Sequence, residues 1–171
     1  MEELIGDYKS FFQDIVSRLK GLGIDIAGYA ISHLGVRTTT FEAYERLRED
    51  IKKHCVSYVE NEHNGRPISK LLLREPLSLL NGFRVDLIEL MPPKPNVPYP
   101  PGLEHCGIVI GDTLEEFARI HKDAMSGRQD QGPYCQPYFI TFDNGKRVKF
   151  YDLSLKDVVE KEGHVFLPVP H

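Results

Sequence analysis

The chain has no tryptophan, three cysteines, no surplus of basic charge and no long apolar run. Nothing in it approaches the ~18 apolar residues of a membrane span, so no membrane role is expected. Cys55, Cys106 and Cys135 are odd in number, far apart and never in a Cys-x-x-Cys pair. That pattern excludes a zinc ribbon and a disulfide framework, and implies reduced thiols in the cytoplasm. The net charge is −4, with basic and acidic residues interspersed, so no nucleic-acid partner is expected. The N-terminal stretch also lacks the basic start, apolar segment and cleavage site of a secretory signal.

What is present is a repeat. "SHLGVRTTTFEAYERL" (32–47) returns 72 residues later as "EHCGIVIGDTLEEFARI" (104–120). Each copy sets a histidine one residue before a residue–Gly pair, and each ends in an amphipathic run. A period this long does not suit a solenoid; two copies suit two fused halves. Between them, residues 92–101 (PPKPNVPYPP) hold six of the twelve prolines, which reads as a semi-rigid linker.

Periodicity fills in the halves. Leu4, Ile5, Tyr8, Phe11, Phe12, Ile15 and Leu19 recur at three and four, predicting an amphipathic N-terminal helix. In the first half, 27–38 reads as a strand, and a helix capped by Thr39 or Thr40 follows with Phe41, Tyr44, Leu47 and Ile51 inward. A hairpin at Asn64-Gly65, a turn at Asn81-Gly82 and the strand "FRVDLIELM" complete β-α-β-β-β. The second half repeats the order with a strand, a helix from Thr113 to about Ala124, and two strands around Asp143-Asn144-Gly145. The loop "MSGRQDQGPYCQP" stands where its second strand belongs, and Ser154–Glu162 reads as a capped helix. The fold expected is therefore α+β: paired βαβββ modules in a curved, partly open mixed sheet around a cavity. The divisions are a helical extension (1–25), a first module (26–95) and an abbreviated second module (96–171), in one globular unit.

Strand geometry places His33 on a face with Ile31, Gly35 and Arg37, and His105 with Leu103, Gly107 and Val109. The glycine two residues past each histidine leaves room for another group. Glu89 lies in a strand otherwise too apolar for a carboxylate, and a buried charge needs a partner or a metal. Two imidazoles and one carboxylate suit a divalent metal site with open positions, although a lone strand histidine is more often structural. Laying "VDLIEL" on "VKFYDL" sets Glu89 opposite Asp152. Arg37 can grip a carboxylate or enediolate, or form an ion pair with Glu89 or a surface acid. Cys106 faces away and packs. His54, His63, His121, His164 and His171 read as solvated.

The segments "SHLGVR", "NGRPI…REP", "VDLIEL", "YPPGLEHCGIVIG" and "VKFYDLSLKDVV" resemble those of YecM-like proteins, in the vicinal oxygen chelate superfamily, over residues 25 to 160. The resemblance implies paired βαβββ modules around a divalent metal (Zn, Ni, Mn or Fe) with His33, Glu89 and His105 as ligands. It also lifts Arg66, otherwise an ordinary solvated hairpin charge, to a candidate substrate contact beside Arg37. Glyoxalase-like members end the last strand with Glu; here it reads Lys149-Phe150-Tyr151-Asp152. Tyr151, Asp152 or water is left to complete the site, with Tyr151 a proton donor and Glu89 the other proton-moving group. The function implied is isomerase, epimerase or lyase chemistry on a small oxygenated substrate, with dioxygenation needing iron or manganese. The rivals are a non-catalytic binding protein for a small molecule and a metal kept for structure.

Overall fold

A computed structural model of the chain describes residues 1–63, 65–94 and 100–170. The N-terminal apolar pattern forms two helices rather than one, α1 (Glu2–Ile5) and α2 (Tyr8–Gly21). Gly6 breaks them at φ 88°, and the Asp7 side chain caps α2 by accepting from the Ser10 amide. Then follow β1 (Ala30–Arg37), α3 (Phe41–Lys52), β2 (Cys55–His63), β3 (Arg66–Ser78) and β4 (Arg84–Met91). Thr40 caps α3 through a bond from the Ala43 amide. The second half supplies β5 (Gly102–Val109), α4 (Leu114–Ile120), β6 (Gly127–Arg128), β7 (Tyr138–Thr141), β8 (Arg147–Tyr151), α5 (Leu155–Lys161) and β9 (Leu167–Pro168). The expected Asn64-Gly65 turn and Pro-rich linker fall largely outside the described residues, since Asn64 and 95–99 are not among them.

Among the described residues, nine strands form one open sheet in the order β6-β7-β8-β5-β1-β4-β3-β2-β9. Each half has the same internal order. The first strand runs parallel to the fourth, which is followed by the third and the second. The second strand of the later half is reduced to Gly127–Arg128, within the loop that the sequence left without a strand. The antiparallel pairing of β1 with β5 joins the halves.

One face of the sheet carries the main core. Phe12, Ile15 and Leu19 of α2, Tyr44 and Ile51 of α3 and Phe117 of α4 pack there with Leu34, Ile88, Cys106, Ile108 and Phe150. Burying each large side chain is worth about 2 kcal/mol. Cys106 packs as expected. On the opposite face a smaller cluster, Cys135, Tyr151 and Val158, joins the sheet to α5.

Candidate functional site

Two register shifts in the central pair build the site. Ile31 and His33 pair with consecutive residues of β5, which leaves Ser32 as an extra residue; on β5, Glu104 is extra in the same way. A bulge re-aims side chains locally. Ser32 and His33 therefore both serve the face away from the main core, as do Glu104 and His105. Ile31 belongs to the main core instead, so alternation across Ser32 fails.

His33 pairs with Gly107 and His105 with Gly35. A Cβ at Gly35 would fall within the His105 ring, and one at Gly107 would collide with the His33 ring. The room beside each imidazole, expected from the sequence, is filled by the other half's histidine. The two rings meet edge to face at a centroid distance of 5.2 Å, with their Nε2 atoms 3.2 Å apart. Glu89 Oε2 lies 3.1 Å from His105 Nε2 and 3.9 Å from His33 Nε2. One ligand atom from each of the three residues falls within 4.8 Å of the other two.

Each imidazole has a polar side chain behind it. His33 Nδ1 lies 2.9 Å from Ser32 Oγ, which also accepts the Leu155 amide at the start of α5. That bond fixes the ring with Nε2 toward the cluster. His105 Nδ1 forms no hydrogen bond with a described residue, but Glu104 Oε1 lies 3.4 Å away. Arg37 donates to both oxygens of Glu104 and to the Pro92 carbonyl. Arg37 thus forms an ion pair, with Glu104 as its acid in place of Glu89.

Burial pushes the His33 imidazole well below its ordinary value, against the opposing charge of Glu89. It is neutral near pH 7, the form in which a ring nitrogen binds metal. Burial would raise Glu89, but the hydrogen bond and charge of His105, with the charges of His33 and Lys149, hold it well below the carboxylate range. Burial pushes the Tyr151 phenol well up, so it stays protonated. Two imidazoles and a carboxylate this close could hold a cation between them, and this nitrogen–oxygen set fits a first-row divalent ion.

A cavity of about 150 Å³ opens above Glu89. Arg37, Arg66, Lys70, Glu104 and Lys149 line it, as do Leu155 and Val158 of α5. His33 and His105 are fully buried beneath, so Glu89 is the donor that reaches the cavity. The Tyr151 ring packs edge-on to His33 at 5.5 Å. Asp152 is exposed beyond the end of β8. The register corrects its proposed match: Glu89 pairs with Gly35 as Lys149 pairs with Gly107, so Lys149 is the counterpart of Glu89.

His54 and His164 are exposed as expected, while His171 lies outside the described residues. His121 is half-buried against the Phe117 ring. His63, read as solvated, is half-buried and lines the cavity. Ser32, Glu104, Lys70 and Lys149 were not singled out. Both lysines carried the signal that identified Glu89, a charge within an apolar strand.

Residues 1–136 match the model of the YecM protein family. Protein YecM of Escherichia coli (strain K12) is 23% identical over 180 residues, covering 95% of this chain and 94% of the relative. An uncharacterised Haemophilus influenzae protein is 34% identical over 108 residues, covering 63% of this chain and 56% of its own length. The solved structure described as "Structural Genomics, Protein EC4020" superposes with a TM-score of 0.76 at 23% identity, over 94% of this chain and 92% of that one.

Proposed function

Since the chain belongs to the YecM family and gathers two imidazoles and a carboxylate at one point, we propose that it is a metal-dependent enzyme of the vicinal oxygen chelate type. The substrate is a small oxygenated molecule, and the reaction an isomerisation, epimerisation or elimination. The observation that carries this reading is the convergence of donor atoms from β1, β4 and β5 beneath a cavity. His33, Glu89 and His105 hold the ion. When bound, the ion acts as a Lewis acid toward chelated oxygens and lowers the pKa of an adjacent C–H.

The chain's own groups do the rest. Ser32 and Glu104 orient the imidazoles; such partners usually matter about 10- to 100-fold in metal affinity. Glu89, the donor that faces the cavity, moves the substrate proton. Tyr151, buried and protonated against His33, does not line the cavity and backs the ring instead. Arg66 meets the substrate at the cavity wall, while Arg37 acts through Glu104.

Relaxation of water protons by chelator-treated protein reloaded with Mn²⁺ tests the reading. The expected result is enhancement above free Mn²⁺, from an exchangeable water facing the cavity, and its loss in His105→Ala. Bound Mn²⁺ with no exchangeable water would mean a closed, structural ion instead.

A further inference from the structure

The cavity carries more positive charge than its own carboxylates balance. Among the described residues, six cationic side chains line it against three carboxylates. Arg37 is matched by Glu104, and Glu162 stands exposed at the rim on the α5 side. That leaves Glu89 facing two lysines that are almost wholly buried, Lys70 at 5% exposure and Lys149 at 6%. Lys70 is the cross-strand partner of Glu89 and donates to Asn61. The Lys149 ammonium makes no hydrogen bond or ion pair with any described residue, yet the side chain lines the cavity.

The position of Lys149 sharpens the point. By register it is the second half's counterpart of Glu89, the place where internal symmetry would set a second carboxylate. The second half supplies an ammonium instead. Burying an unmatched ammonium is costly, and a strand position tolerates it when something anionic completes it. Lys70 and Lys149, both nearly buried, outnumber the single carboxylate between them even before any divalent ion adds its charge.

We infer that the ligand of this site is a small oxyanion, a carboxylate or phosphate of a few heavy atoms, gripped by Lys149 and Lys70 above Glu89. The inference rests on the proposed function only in taking the cavity as the substrate site. The volume suits the size: about 150 Å³ holds a guest of a few heavy atoms, on the scale of benzene. The ligand brings the negative charge that the second half does not provide, and a charge-assisted bond from Lys149 is among the stronger contacts available.

Thermal unfolding of metal-free and Mn²⁺-loaded protein with malonate, lactate, inorganic phosphate and uncharged malonamide tests this. We expect saturable stabilisation by at least one anion, none by malonamide, and affinity about tenfold lower or worse in Lys149→Met and Lys70→Met. Lys149→Arg should keep most of the affinity. Without anion, Lys149→Met should unfold at a higher temperature than wild type, because relief of crowded positive charge is independent of ligand. No stabilisation by any of the three anions, or wild-type affinity in both methionine variants, overturns the inference. Preference for phosphate over both carboxylates would identify a phosphorylated ligand, and the reverse a carboxylic acid. Anion binding that persists in protein unable to hold metal supports the lysine grip and counts against the metal reading alone. Metal binding without any anion response does the opposite.

Discussion

His105 rests on Gly35, and by the same geometry His33 rests on Gly107, so each half of the molecule supplies the floor for the other half's imidazole. Neither half can build the cluster alone. The reciprocal packing brings two Nε2 atoms from residues 72 apart in sequence to 3.2 Å.

Gly35→Ala tests that dependence. The added methyl must displace a fully buried ring, at a cost of about 1–3 kcal/mol. The expected outcome is a lower denaturation midpoint together with weaker metal binding by calorimetry. Gly107→Ala should behave alike, through His33. Normal metal affinity in both would show that the rings have space to move.

Glu104 and Arg37 should separate orientation from stability. Glu104→Gln keeps the shape but removes the charge beside His105 Nδ1, and should weaken metal binding about 10- to 100-fold. Arg37→Met leaves a buried carboxylate without its cation and should destabilise the fold by about 3–5 kcal/mol. Chelator competition measures the first, and urea unfolding the second.

The buried cluster also gives stability a pH slope. The unfolded His33 imidazole takes a proton near 6.5, whereas the folded one resists it because burial lowers its value. Below 6.5 the unfolded state therefore binds more protons, and stability falls as pH falls. Glu89, held low in the folded state, adds a loss of the same sign at more acid pH, below the ordinary carboxylate value. Urea midpoints of metal-free protein should decline from pH 7 toward pH 5, with a shallower decline in His33→Gln. Equal slopes would show that another group titrates.

The paired modules, the abbreviated second strand and the placing of His33, Glu89 and His105 were legible because each rests on a local pattern: alternation, a turn dipeptide, or a charge in an apolar strand. The bulges at Ser32 and Glu104 were not. A bulge is a property of pairing, and nothing in either strand alone marks which residue the partner skips. The same blindness to register produced the match of Glu89 with Asp152 instead of Lys149. Lys149 itself was readable by the reasoning applied to Glu89, since "VKFY" sets a charge between buried Val148 and Phe150. His63 was misread because a strand-end position looks solvated until the opposing elements are known to meet across the sheet.

Elemental analysis of protein purified without chelator tests the central claim most directly, comparing wild type with the His33→Ala/His105→Ala double variant. A divalent metal near one equivalent per chain in the wild type, and a trace in a folded variant, is the predicted result. Negligible metal in both would contradict it.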